Sequence, residues 1–358
     1  MLPYYSLLAI WLLGAIQFSS LKRQRLEGVL YAIALIYTVL LIGLRYEVGG
    51  DYESYLSMYK QMYFQPLSYA ITATEPAYGF LNWVSIQFDG GTWPVNLACG
   101  TVFILGLSSL ARQQKNPWLA FGVATPYLII VVGMGYTRQA CAIGIICWTI
   151  SRAPERGVKS MILGIAAAAL FHKTAILMLP VLVAPLLARR PILAAFGMVA
   201  TVGLAAVTVG QGSDAFVTNY VSSNYQSTGA AIRIGMNVVS AGIFLLFGSR
   251  FDISQYHKSL WRYFSVLSIL SVAGLMAASS SVGVDRLSLF LLPLQLVVYS
   301  QIPYALSKHT APVTSIFISV ICYNIVVMYA YFVLATFSWA WVPYQNIVFS
   351  DTTVHRLD

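Results

Sequence analysis

Apolar residues dominate this chain from end to end, and they fall into runs long enough to cross a lipid bilayer. Of its 358 residues, 58% are hydrophobic and 9% are charged, and the mean hydropathy is +0.73. A membrane-spanning helix needs about 20 predominantly apolar residues. The pattern therefore predicts an all-α, polytopic membrane protein, a single integral domain over residues 1–358 with about twelve transmembrane helices. The predicted spans are residues 2–19, 27–44, 92–110, 117–134, 139–151, 160–171, 174–188, 192–209, 234–248 and 263–278, one ending near residue 306, and 313–336.

Two long polar segments, residues 45–91 and 210–233, interrupt this pattern and are predicted to be loops packed on one face of the membrane domain. The first contains a candidate surface helix at residues 76–88, which is too short to cross a bilayer. A smaller interruption, Phe171-His172-Lys173, divides residues 160–188. We expect two short helices there that meet at His172.

The basic residues decide which way the spans run. Membrane proteins concentrate Lys and Arg on the cytoplasmic side. With the spans above, 14 of the 21 Lys and Arg residues and 3 of the 12 acidic residues lie inside. The net charge of +9 therefore reflects membrane orientation, and it is no argument for nucleic-acid binding.

Four arginines depart from that rule, because they fall at the opposite, outer face beside hydrophobic segments. They are Arg45, Arg138, Arg233 and Arg286. A cation at the edge of the hydrocarbon costs free energy and marks a candidate functional site. Four of them on one face predict a binding site for a multiply negative group. The alternative is that each arginine pairs with a nearby acid, as Arg45 with Glu47 and Arg286 with Asp285.

The segment that begins at Arg45 carries further candidates. Gly49-Gly50 permits a tight turn, and Asp51 is placed to cap the helix that follows. On that helix an aromatic stripe recurs every three or four residues, at Tyr52, Tyr55, Tyr59 and Tyr63. The stripe is either a tyrosine belt at the membrane interface or a surface on which sugar rings stack.

His172 is the histidine predicted beside the outer ends of membrane helices, and it is a candidate general base. Lys173 beside it would lower its pKa and keep it neutral. The alternative is that His172 is a structural residue and that Asp51 or Glu75 is the base. Phosphate-binding loops, zinc motifs and paired acids within the spans are missing from the sequence. The four cysteines lie within apolar spans, so no metal or other cofactor is predicted.

Several short motifs resemble a known family. They are Arg45…Val48-Gly49-Gly50-Asp51-Tyr52…Tyr55, Glu75-Pro76, Gly135-Tyr136-Thr137-Arg138-Gln139, Phe171-His172-Lys173-Thr174-Ala175 and Arg286-Leu287-Ser288. Their order and spacing are similar to those of the EpsG/Wzy-type bacterial polysaccharide polymerases, from about residue 27 to about residue 300. Gly50 departs from the pattern, because the family more often has a small hydroxyl residue there. Beyond residue 300 the resemblance is limited to apolar character and Pro343-Tyr344.

The resemblance implies a GT-C-like, metal-independent glycosyltransferase of the bacterial inner membrane, with its active face in the periplasm. Its substrates would be undecaprenyl-diphosphate-linked oligosaccharides, polymerised into O-antigen or another surface polysaccharide, with membrane lipid around it and a Wzz-type chain-length regulator as a partner. Arg138, Arg233 and Arg286 would bind the diphosphate, and Arg45 would organise the entry loop with Asp51. His172 or Asp51 would accept the proton. The remaining candidates would bind glycan: Tyr52, Tyr55, Glu75, Tyr136 and Gln139.

Two other functions remain open from the sequence. A flippase for lipid-linked oligosaccharides would also need basic residues, but along a path through the bilayer. An O-antigen ligase would use the same donor and move the glycan onto lipid A core. The charge pattern favours chemistry at one face over transport, and only the family motifs separate polymerase from ligase.

Overall fold

The structure is a computed structural model that describes residues 1–19, 25–187, 229–277, 281–307 and 311–350. Within these ranges the protein is helical and no β-strand occurs, which confirms the all-α class. The span predicted at residues 192–209 and most of the 210–233 loop lie outside the described residues.

The helices divide into long apolar ones and short ones on the polar segments. In chain order they are α1 (Leu2–Gln17), α2 (Arg25–Gly43), α3 (Tyr52–Gln61), α4 (Leu67–Ala73), α5 (Pro76–Ile86), α6 (Trp93–Ala111), α7 (Pro117–Gly135), α8 (Thr137–Ala169), α9 (Met178–Val183), α10 (Ala230–Phe247), α11 (Gln255–Ala277), α12 (Ser281–Ser288), α13 (Pro293–Ala305) and α14 (Thr314–Leu334).

Six described helices are long and apolar enough to cross a membrane: α2, α6, α7, α10, α11 and α14. A seventh span results if Ser281–Leu291 and Pro293–Ala305, which meet at an angle of 43°, form one broken crossing. The chain is therefore a multi-pass membrane protein. The larger count of twelve and the GT-C-like arrangement remain predictions.

Helix α8 is a hairpin, because it reverses direction at Gly157. This residue has φ +68°, which breaks the helix, and Pro154 lies just before it. A Cβ atom on Gly164 would lie 2.1 Å from Thr149 Oγ1. In a straight helix these residues would be about 22 Å apart. The two limbs therefore run antiparallel, as the spans predicted at 139–151 and 160–171 require.

The hairpin defines two ends of the helix bundle. At the end that holds the start and finish of α8, the backbone N–H of Ala77 donates to Leu170 O (3.0 Å). At the opposite end, near the hairpin turn, His257 Nε2 lies 3.1 Å from Ile150 O. An ion pair between Lys115 and Asp252 also lies there. These contacts place residues predicted to be cytoplasmic at the end away from Arg138.

Helix α7 is the centre of the bundle, since its whole span is buried. It packs against α1, α6, α13 and α14. Between α6 and α8, glycines allow the backbones to touch, because a Cβ atom on Gly106 would lie 1.9 Å from Gly144 O. Small residues at such crossings let membrane helices approach closely.

A C-terminal clasp, residues 338–347, returns to the loop that follows α2. The N–H of Ile347 donates to Leu44 O (2.9 Å), and that of Gly49 donates to Ala340 O (2.8 Å). Trp341 is only 2% exposed, and its indole N–H donates to Ile130 O (3.0 Å). Sequence reasoning found nothing in this region beyond Pro343-Tyr344. The C-terminal clasp holds the Arg45–Gly50 loop against the C-terminal end of helix α7.

We predict that Phe64 and Asp252 are reached from opposite sides of the membrane. Phe64, between α3 and α4, is 98% exposed, and the Asp252 side chain is 77% exposed at the other end of the bundle. In a cysteine-free background, an impermeant thiol reagent outside spheroplasts should label Phe64→Cys. It should label Asp252→Cys only after permeabilisation. Labelling of both from one side, with full reactivity of both after denaturation, would contradict the two-ended arrangement.

We also predict that Gly106→Ala weakens the α6–α8 packing. The new methyl group would overlap the backbone of Gly144, and overpacking of this kind costs about 1–3 kcal/mol. The thermal unfolding midpoint in detergent should therefore fall by several degrees. Gly242→Ala on α10 is the matched control, because a Cβ atom there meets no described atom within 4 Å. An unchanged midpoint for Gly106→Ala would refute the close contact.

Candidate functional site

Arg138 and Glu75 form the first charged pair of the site. Arg138 lies in the first turn of α8, and Glu75 lies at the N-cap position of α5. Arg138 Nη1 donates to Glu75 Oε2 (2.5 Å) and to Thr74 Oγ1 (3.1 Å). Its guanidinium also contacts the rings of Tyr55 and Tyr78, each 5.7 Å from the ring centroid. Arg138 is thus held by a carboxylate and two aromatic rings, with 23% of its side chain exposed.

His172 lies on the other side of Glu75, at the junction of two short helices predicted from the sequence. Its Nδ1 is 3.7 Å from Glu75 Oε1, and this nitrogen has no hydrogen-bond partner among the described residues. The imidazole stacks on Phe290, with ring centroids 6.1 Å apart. His172, Glu75 and Arg138 therefore form one contiguous group.

The pKa values of this group follow from burial and charge. The pKa of His172 is lowered to about 4. Burial is the main cause, Arg138, Arg286 and Lys173 act in the same direction, and Glu75 opposes them. Lys173 thus acts in the predicted direction. Burial raises the pKa of Glu75, but Arg138 and His172 outweigh this effect and the net pKa is lowered. At neutral pH the histidine is therefore neutral and the glutamate is ionised.

Arg286 and Asp51 form a second pair. Arg286 Nη2 lies 3.2 Å from Asp51 Oδ2 and 3.5 Å from Oδ1. The guanidinium stacks over the ring of Tyr136, 3.9 Å from its centroid. Arg286 thus forms an ion pair with Asp51, which lies 235 residues away in the sequence.

Arg233 and Asp285 form a third pair, with a two-pronged geometry. Arg233 Nε donates to Asp285 Oδ1 (2.6 Å), and Nη2 donates to Oδ2 (2.5 Å). The pair joins α10 to α12, and the two side chains are 11% and 5% exposed. It is the most buried of the three arginine–carboxylate pairs.

Gln139 and Tyr136 connect the pairs. Gln139 is 2% exposed and its Nε2 donates to Arg286 O (2.6 Å), so it binds the chain beside Arg138 to α12. Tyr136 is half-buried beneath Arg286. Both were predicted to bind glycan. The structure places Gln139 inside the network, where it meets a backbone carbonyl.

Arg45 lies beneath the site, in the interior of the protein. It is 2% exposed and donates to Ile42 O (2.5 Å), Asn96 Oδ1 (3.0 Å) and Thr137 Oγ1 (2.6 Å). Among the described residues it contacts no carboxylate within ion-pair distance, so the suggested pair with Glu47 is not formed. Its bond to Thr137 fixes the residue next to Arg138. This geometry suits positioning rather than direct contact with a ligand.

The tyrosine stripe on α3 faces mainly inward. Tyr55 and Tyr59 are buried, and the Tyr59 hydroxyl accepts from the N–H of Gly91 (3.0 Å). Tyr55 packs on Tyr78 in a small cluster. Tyr52 is half-buried against Tyr46. Tyr55 and Tyr59 therefore pack α3 against the protein, whereas Tyr52 and Tyr63 are partly exposed.

Sequence reasoning missed several members of the site. Asp285 was read only as a local partner of Arg286, and no periodic signal identified Thr74, Tyr78, Asn96 or Phe290. A polar residue within an apolar span, as Asn96 is, was an available signal. Among the described residues, no group of three or more His, Cys, Asp or Glu side chains is arranged to hold a metal ion.

The site therefore consists of three arginine–carboxylate pairs and a histidine, brought to one end of an apolar helical bundle. No curated protein and no solved structure is significantly similar to the chain. The sequence model of the EpsG family matches residues 28–346, a range that includes every residue of the site. The chain belongs to the EpsG family, a family of polysaccharide polymerase-like membrane proteins.

Proposed function

We propose that this protein is a polysaccharide polymerase that transfers a growing glycan from a lipid diphosphate to a new lipid-linked repeat unit. The observation that carries the proposal is the convergence of Arg138, Arg233 and Arg286 from three separate helices. A guanidinium offers paired hydrogen bonds to phosphate oxygens and stays charged at any relevant pH. Family membership supports the same reaction class.

The arginines are neutralised in the structure, and this affects how a diphosphate would bind. Among the described residues each guanidinium is paired with a carboxylate, so the three pairs carry no net charge. Arg138 and Arg286 are about a quarter exposed, whereas Arg233 is more deeply buried. We assign direct phosphate contact to Arg138 and Arg286. Arg233, through its pair with Asp285, holds the helix that carries Arg286 against α10.

The proposed reaction is a displacement at the anomeric carbon of the donor glycan. The acceptor hydroxyl oxygen forms a bond to that carbon, and the bond from carbon to diphosphate oxygen breaks. The electron pair leaves with the diphosphate, whose growing charge the arginines stabilise. The hydroxyl proton must pass to a base.

His172 is our choice for that base. It is neutral at pH 7 because of its lowered pKa, so it is able to accept a proton. Glu75 Oε1, 3.7 Å from Nδ1, would stabilise the imidazolium that forms. In hydrolase triads a carboxylate hydrogen-bonded to the histidine stabilises the imidazolium, whereas here the 3.7 Å separation makes the contact electrostatic.

The setting of the reaction is also part of the proposal. We infer that the donor is undecaprenyl-diphosphate-linked oligosaccharide, that the membrane is the bacterial inner membrane and that the site faces the periplasm. The predicted charge asymmetry supports this orientation, since basic residues predicted to be cytoplasmic, among them Lys115 and Lys258, lie at the other end of the bundle. The products would be O-antigen or exopolysaccharide chains.

We predict that Arg138→Ala and Arg286→Ala each lower polymerisation by about ten- to a hundredfold. This is the effect expected from losing one charged hydrogen bond, worth about 1.5–3 kcal/mol, in the transition state. Arg→Lys variants should recover little activity, because an ammonium cannot make the two-pronged contact. The measurement is the chain-length ladder of surface polysaccharide, together with the membrane level of each variant.

Arg152→Ala is the matched control for the arginine variants. Arg152 stacks on Trp148 at the opposite end of the bundle, 4.8 Å from the ring centroid. The Arg152→Ala variant should therefore leave the chain-length ladder unchanged. Normal ladders from both Arg138→Ala and Arg286→Ala would refute the diphosphate assignment. A single repeat unit on the lipid core indicates polymerase loss, whereas absence of capped core would indicate a ligase or flippase.

We predict that His172→Gln lowers turnover of lipid-linked repeat units by about a hundredfold or more while substrate still binds. The base must be deprotonated, so activity is lost as the pH falls through its pKa. With that pKa lowered to about 4, wild-type kcat/KM should stay level from pH ~8 down to ~5.5, unlike that of an ordinary histidine near 6.5. A fall centred near pH 6.5, or near-normal turnover by His172→Gln, would exclude this assignment.

A further inference from the structure

The Asp51–Arg286 pair differs from the other two pairs in its geometry. Its two contacts, 3.2 and 3.5 Å, come from a single guanidinium nitrogen, whereas Arg233 meets Asp285 through two nitrogens at 2.6 and 2.5 Å. It is also the most exposed of the three, at 24% for Arg286 and 32% for Asp51. Exposed ion pairs contribute little stability. This pair is therefore the easiest of the three to open.

Arg286 would keep its position if Asp51 left. The guanidinium rests on the Tyr136 ring at 3.9 Å, and its backbone carbonyl accepts from Gln139. A cation over an aromatic ring is held by the ring quadrupole without any counter-ion. The phosphate-binding geometry of Arg286 thus does not depend on its carboxylate.

Separation from Arg286 would cost the Asp51 side chain little free energy. It occupies the N-cap position of α3, yet its carboxylate makes no capping hydrogen bond to that described helix. Gly49, two residues before, is fixed by its bond to Ala340 O, so the loop stays in place while the Asp51 side chain rotates. The predicted capping role is replaced by a contact with Arg286.

We propose that Asp51 is an internal counter-ion that occupies the phosphate position at Arg286, is displaced when the donor diphosphate binds, and returns to expel the diphosphate product. The proposal rests on the proposed function, since it assumes that Arg286 binds phosphate. The carboxylate keeps the cation paired between turnovers. Its return competes with the spent lipid diphosphate, so release of that product needs no movement of the helices.

The test uses the full-length protein in nanodiscs, with undecaprenyl diphosphate as the probe. Asp51→Asn removes the competing charge and should tighten binding by about fivefold, the range expected from an exposed ion pair. Asp51→Glu keeps the charge and should not tighten it. Asp51→Ser removes the charge by a second route if the Asn variant fails to fold.

Glu53→Gln is the matched control, because it removes one exposed acid from the same helix, two residues away. It should leave the affinity unchanged. Equal tightening by Glu53→Gln and Asp51→Asn would show a general charge effect and overturn the proposal, as would unchanged or weaker binding by Asp51→Asn and Asp51→Ser.

Kinetics separate this role from proton transfer. For Asp51→Asn, product inhibition by undecaprenyl diphosphate should strengthen about fivefold, because the returning carboxylate no longer competes with the product. A first turnover slowed a hundredfold would make Asp51 the base and overturn the proposal. The Arg286→Ala variant separates failure of the phosphate site from failure of the counter-ion role. If it does not weaken probe binding, the phosphate site itself is refuted; if it weakens binding and Asp51→Asn does not tighten it, only the counter-ion role fails.

Discussion

Charge inside a bundle of apolar helices must be paired, and this constraint organises both the fold and the site. An isolated ion among apolar side chains costs several kcal/mol even after the surroundings relax. Here the pairs run between different helices: Arg138 joins α8 to the start of α5, Arg233 joins α10 to α12, and Arg286 joins α12 to the start of α3. The contacts that satisfy the charges therefore also assemble the site. A substitution that removes one partner acts on packing and on chemistry together.

Hydropathy and charge located several of the described helices and predicted that the arginines lie at one face. Helices α2, α6, α7 and α14 begin and end within two residues of the predicted spans. Helix α11 begins at Gln255, eight residues before the predicted 263, because its first turns are polar and resemble a loop. The reversal at Gly157 followed from the basic residues on both sides of it. These features are visible because they depend on local composition.

The partners of the arginines were not predictable in this way. Arg138–Glu75, Arg233–Asp285 and Arg286–Asp51 are separated by 63, 52 and 235 residues. Adjacency in sequence was misleading, because successive residues on a helix point about 100° apart and Asp285 and Arg286 face different neighbours. The same limit applies to Arg45, whose ligands Asn96 and Thr137 come from two other helices. Contacts between neighbouring helices of a bundle produce no periodic pattern in the sequence, so periodicity does not reveal them.

The C-terminal clasp makes the order of synthesis relevant to this protein. Residues 338–347 leave the ribosome after every described span has been made, yet they supply backbone bonds to Leu44, Tyr46 and Gly49. The loop before Asp51 thus lacks these bonds until residues 338–347 have been made and Trp341 packs beside Gly50 and Gly135. A chain that stopped after α14 would contain all the described spans and every charged pair. It would lack the C-terminal clasp, so the Arg45–Gly50 loop receives these bonds only after every described span has been made.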